Sequence, residues 1–143
     1  MKTSKFIESV IKIKSMELLN MKKITDMCNE KHPRKIEMDT YQYMMGLIEG
    51  MEEGICALEC LCNRKEKEMR DYERLLYLIN SEIELSKAIL KHMEKRKNEY
   101  VEKGNQTMAY YIDGEIDAKN QEIETLEMIL TEHKEQKLWM NNY

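Results

Sequence analysis

Proline and glycine are nearly missing from this chain. Its 143 residues include one proline, Pro33, and five glycines, too few for the closely spaced turns of a many-stranded sandwich or barrel. Aromatic residues are sparse as well, with one Trp and one Phe beside eight Tyr. Four cysteines are too few to staple a chain of this length as a disulfide scaffold. The longest strictly apolar run, Leu75-Leu76-Tyr77-Leu78-Ile79, falls far short of the ~20 residues that span a bilayer. Glu8, Lys12 and Lys14 interrupt the apolar residues of the N-terminus, which therefore lacks the apolar core of a secretory signal. Neither end carries a lipidation motif. These absences lead to the expectation of a cytoplasmic protein with reduced thiols and no membrane contact.

Enzyme signatures are missing too. There is no G-x-G-x-x-G, P-loop lysine, G-x-S-x-G or H-E-x-x-H. The residues three before each histidine are Asn29, Ile89 and Leu130, which excludes the paired Glu-x-x-His of di-iron bundles. The run Asp113-Gly114-Glu115-Ile116-Asp117 lacks the alternating ligands of a calcium loop. Cys56, Cys60 and Cys62 read C-x3-C-x-C, and Cys28 and His32 stand four apart. In an antiparallel hairpin those two groups lie ~30 Å apart along the helix, so only an antiparallel pair of chains or a different fold could join Cys28, His32, Cys56 and Cys60 around zinc. No catalytic residue, metal or cofactor is expected.

What remains is 42% apolar and 35% charged, and helix is the only period in it. Residues 4–30 return apolar groups every three or four positions, with Ser4 as a candidate cap and Pro33 beyond the end. From Tyr41, alternate steps of three and four pass through Met44, Ile48, Met51, Ile55, Leu58, Cys62, Met69, Tyr72, Leu76, Ile79, Ile83, Leu90, Met93 and Tyr100. Fifteen of the eighteen positions on this seam are apolar, where composition alone would give about seven or eight. The heptad seam stays in register across Asn63, so one helix over 37–103 is expected, with a break near 63 as the competing arrangement. Asp39 or Thr40 could start it and Gly104-Asn105 could stop it. A third seam, its phase reset, runs through Ala109, Ile112, Ile116, Ile123, Leu126, Leu130 and Met140, with Thr107 as a candidate cap.

The expected fold is all-α and a single domain over 1–143: antiparallel helical hairpins and coiled coil around one long central helix, with helices over about 4–30, 37–103 and 106–140. Each end of the rod would be covered by a returning helix. Charge agrees with that pairing, since residues 1–36 carry +5, 37–63 carry −6, 64–104 carry +2 and 105–143 carry −5. The segment 4–30 has more apolar groups than one partner can cover, so a homodimer completing the bundle by self-association is expected.

Three functions follow from these features. The first is a non-enzymatic protein–protein interaction protein, a self-associating scaffold or adaptor with a protein partner of unknown identity. It would use the seam residues Met44, Ile48, Met51, Ile55, Leu58, Met69, Leu76, Ile79 and Ile83 and the small-residue strip Gly46, Gly50 and Gly54. Glycines spaced four apart within a helix each cost up to ~1 kcal/mol against alanine, and they point to something approaching the backbone. The second is a small acidic inhibitor of a nucleic-acid enzyme, of the type carried by a phage or mobile element against host defence, using Glu115, Glu122 and Glu124. The third is nucleic-acid binding through the basic first segment, which a net charge of −4 disfavours.

Overall fold

The computed structural model describes residues 2–29, 35–62 and 72–142, and every element among them is an α-helix. These are α1 (Lys2–Asn29), α2 (Lys35–Cys62), α3 (Tyr72–Glu102) and α4 (Gln106–Asn142). No helix is long and apolar enough to cross a membrane among the described residues.

The turn between α3 and α4 is written into two residues, Gly104 and Asn105. Gly104 adopts φ +75°, a backbone conformation that costs glycine nothing. Its N–H donates to the Val101 carbonyl at 3.0 Å, and the Asn105 N–H donates to Tyr100 at 2.9 Å. This is the Schellman closure of a helix end. Asn105 then starts the next helix, its side-chain oxygen accepting the Met108 N–H at 3.2 Å. Asn105 therefore caps α4, and Thr107, the candidate from sequence, lies inside the helix. Ser4 is displaced in the same way, because α1 already begins at Lys2. Likewise α2 begins at Lys35, upstream of Asp39 and Thr40.

Helix direction follows from the side chains that meet. Lys97 reaches Asp113 at 2.6 Å, Ser86 faces Glu122, and Tyr72 stacks on His133. Rising numbers on α3 thus meet falling numbers on α4, and the two are antiparallel. On the other side of α4, Gly46 lies against Tyr111, Gly50 against Ala118 and Gly54 against Glu122, so α2 and α4 are parallel. Helix α1 runs antiparallel to α2, with Cys62 near Ser4 and Lys22 paired to Glu52 at 2.7 Å.

The straight rod over 37–103 is therefore not formed, because α2 and α3 run in opposite directions along α4. Residues 63–71, where it would continue or break, lie outside the described residues, as does Met69 of the seam. A seam in register records only which face is covered. Here its first half packs between α1 and α4 and its second half against α4, so α4 takes the central place that the rod was expected to hold. Gly114, Ala118 and Glu122 of α4 turn toward α2, while Asp113, Glu127 and His133 meet α3.

Two clusters make the core. At one end all four helices converge through Ile7, Val10, Leu58, Leu61, Leu75, Ile79, Ile83, Leu126 and Ile129. At the other, α1, α2 and α4 share Leu18, Leu47, Ile48, Met51, Ile55 and Ala118. Burying a side chain of this kind contributes about 1.5–3 kcal/mol, so these contacts dominate the fold.

Candidate interaction surface

The seam residues named from sequence are spent inside the chain. Ile48, Met51, Ile55, Leu58, Ile79 and Ile83 are buried, and Met44 and Leu76 are half-buried. The buried ones pack against helices of the same molecule, while Leu76 stays partly open beside Tyr77.

The glycine strip is also used internally. A Cβ built on Gly46 would lie 1.8 Å from the Tyr111 carbonyl oxygen, and one on Gly114 would lie 2.0 Å from the Tyr43 carbonyl oxygen and 2.5 Å from the Leu47 nitrogen. Gly46 and Gly114 thus let the backbones of α2 and α4 touch. One turn on, Gly50 receives Ala118, whose Cβ would be 2.4 Å from its own. Gly54 is less crowded, its nearest neighbour being the Glu122 side chain at 3.6 Å. A cavity of about 30 Å³ opens beside it, lined by Met51, Ile55, Leu58 and Ala118 among others. Gly114, the facing half of this contact, stands in the run Asp113-Gly114-Glu115-Ile116-Asp117 that only superficially resembles a calcium loop. The signal that it carried was Gly114 and Ala118 spaced four apart, the same small-residue step as on α2.

The acidic face is not assembled as expected. Glu122 is buried and holds Lys119 Nζ at 2.7 Å, with the Ser86 hydroxyl donating at 3.5 Å. Glu124 is exposed and Glu115 half-buried, so the three do not share one solvent face. Burial raises the Glu115 carboxyl above its ordinary value, and Glu53 raises it further, while Arg96 opposes. A carboxyl raised in the folded state favours folding below its unfolded value and loses that contribution as pH rises through the folded one. Glu115→Gln is accordingly expected to raise Tm at neutral pH and to leave it unchanged below the carboxylate range. Thermal unfolding at the two pH values checks this.

Other polar groups tie helices together. The Tyr43 hydroxyl donates to Asp117, and this bond, with burial and the charges of Asp117 and Asp113, pushes the phenol up to about 12. His133 joins three helices. Its Nε2–H donates to the Tyr72 carbonyl at 3.0 Å, and its Nδ1 lies 3.0 Å from Thr3 Oγ1. The Thr3 hydroxyl also reaches Gln136 Oε1 at 2.7 Å. The only sequence signal for this junction is His133 at a helical step after Leu126 and Leu130. No buried side-chain nitrogen or oxygen among the described residues lacks a partner.

Cys56 and Cys60 are exposed on α2. Burial and Glu8 raise the half-buried Cys62 thiol above its ordinary value. The Cys28 side chain and His32 lie outside the described residues, so the inter-chain zinc arrangement does too. Among the described residues no three His, Cys, Asp or Glu side chains gather as a metal site would require.

The surface that stands out is on α1. Ile13, Met16, Leu19, Ile24 and Met27 are each more than half exposed. At 100° per residue, Ile13, Met16, Ile24 and Met27 fall within an arc of about 80° centred on Asn20, while Leu19 lies about 100° from that centre, off the stripe. Leu18 and Thr25, which are buried, point the other way, and Leu18 packs against α2. Two of the lysines of this helix are already paired, Lys22 with Glu52 and Lys14 with Glu17 at 3.7 Å, which reduces the free positive charge available for nucleic acid. Isolated apolar residues on a surface are ordinary, but a continuous stripe is the mark of a contact. No family model, curated protein or solved structure matches this chain.

Proposed function

We propose that this chain is a non-enzymatic protein–protein interaction protein, a self-associating helical scaffold or adaptor that works through the outer face of α1. The observation that carries the reading is the apolar stripe of α1, which the other described residues leave exposed while they cover most of the seams of α2, α3 and α4. Helix formation in a segment of this length draws most of its stability from packing, and α1 is packed on one side only. A second helix laid on its outer side would complete a four-helix or coiled-coil layer around α1 and α2. The cytoplasm, where thiols such as those of Cys56 and Cys60 stay reduced, suits such a protein. The test is mass measurement by light scattering across the micromolar range. A dimer or higher species that dissociates on dilution is expected, and a folded species that stays monomeric throughout contradicts self-association.

A further inference from the structure

We infer that the partner of the α1 stripe is a second copy of the same helix, packed antiparallel about a two-fold axis at Asn20. This rests on the self-association reading above and deepens it by naming the surface, the direction and the register.

The first ground is spacing. The stripe reads Ile13, Met16, Asn20, Ile24, Met27, with steps of three, four, four and three. Reversing the helix about Asn20 maps the pattern onto itself: Ile13 falls opposite Met27 of the second copy, and Met16 opposite Ile24. A two-fold interface has to be self-complementary in this way, residue i meeting j while j meets i. The angular positions agree, because Ile13 and Ile24 lie on one side of the Asn20 direction and Met16 and Met27 on the other. Antiparallel packing sets such sides against each other in alternating layers. A parallel pair would instead put each residue opposite itself.

The second ground is area. The four large apolar side chains of the stripe, all more than half exposed, present roughly 500 Å² per chain, and a symmetric pair that covers them fully removes about twice that from water, close to the ~1,000 Å² at which specific interfaces begin. The third is charge along the seam. No ionisable residue occupies the five central positions, so the helices can close without burying one. Asn20 is the single polar group there, and at the axis its amide meets the amide of the other copy, each offering a donor and an acceptor. One polar residue in an apolar seam fixes register at some cost in affinity.

Two measurements test this. Sedimentation equilibrium is run on the full chain and on Met16→Glu/Ile24→Glu, with circular dichroism as the folding control. Both positions are exposed in the single chain, so the variant is expected to keep its helicity and Tm while its dimer weakens by on the order of a hundredfold or more. Direction is read by disulfide trapping in a background where the exposed Cys56 and Cys60 are serine. Chains carrying Met16→Cys are mixed with chains carrying Ile24→Cys and oxidised, and each is also oxidised alone. The mixture is expected to give a covalent dimer beyond the level of the parent chain, and neither variant alone is expected to do so.

Trapping by each variant alone, as parallel packing requires, overturns the inference. A dimer that the two glutamates leave intact overturns it as well, yet leaves self-association standing on another face. A wild-type chain that stays monomeric overturns both.

Discussion

Gly114→Ala is expected to destabilise the fold by about 2–3 kcal/mol, although alanine is the better helix former by ~1 kcal/mol. The added methyl would sit 2.0 Å from the Tyr43 carbonyl oxygen, 2.5 Å from the Leu47 nitrogen and 3.0 Å from the Gly46 carbonyl carbon. All three are backbone atoms, so no side chain can swing aside, and α2 and α4 must separate. Overpacking typically costs 1–3 kcal/mol and more when backbone has to shift. The expected net loss lowers Tm by roughly 10 °C and moves the urea midpoint without changing its slope. Gly46→Ala, whose methyl would lie 1.8 Å from the Tyr111 oxygen, should behave alike. The double variant should lose less than the sum of the two, because helices already forced apart accommodate the second methyl. Gly54→Ala is the internal control. Its methyl would find its nearest neighbours in the Glu122 side chain at 3.6 Å, ordinary contact distance, beside the small cavity at Gly54, so the propensity gain of up to ~1 kcal/mol should survive. Equal effects at Gly54 and Gly114, measured by urea unfolding, would contradict the close approach of the two backbones.

This contrast also shows what the sequence could reveal. Helix type was legible because Ile48, Met51, Ile55, Leu58 and then Ile79, Ile83 and Met93 repeat at helical steps, and no competing period exists. The stop at Gly104-Asn105 was legible because only glycine takes that backbone conformation without strain. Helix direction was not. A seam says that a face is covered but not by what, and the same heptad pattern fits a straight rod or two helices reversing across α4. The strip Gly46, Gly50, Gly54 announced a close neighbour without identifying it, since the answering Gly114 and Ala118 lie more than sixty residues away in sequence. Exposed apolar groups on α1 were legible as a surplus over what one partner could cover. Which of them stay in water depends on where α2 and α4 sit, and that is a tertiary fact. Glu122 was misplaced for a related reason. Acidic residues on a helix read as solvent-facing by default, and only the three-residue step back to Lys119 hinted at a pair that could be buried.

That pair sets the second large effect. Lys119 and Glu122 are joined at 2.7 Å with both side chains almost fully withdrawn from water, and among the described residues the only other hydrogen bond to the carboxylate is the long one from Ser86 at 3.5 Å. Removing one partner of a buried ion pair leaves the other charge without compensation and costs about 3–5 kcal/mol, whereas replacing both by apolar groups of similar volume is often neutral. Lys119→Met and Glu122→Leu are each expected to lose stability in that range, and Lys119→Met/Glu122→Leu is expected to return to within about 1 kcal/mol of the wild type. A double-mutant cycle by urea unfolding at neutral pH measures the coupling directly. The pair sits between α2 and α3 on the central helix, with Gly54 on one side and Ser86 on the other, so a single variant should loosen both neighbours. Hydrogen exchange is expected to quicken in α2 around Gly54 and in α3 around Ser86 together, and to stay slow around Ile7 in α1, where the four-helix cluster is packed without charge. Single variants that each lie within ~0.5 kcal/mol of the wild type would mean that the pair is solvated, and the interior of α4 would then be wetter than its packing against α2 and α3 allows.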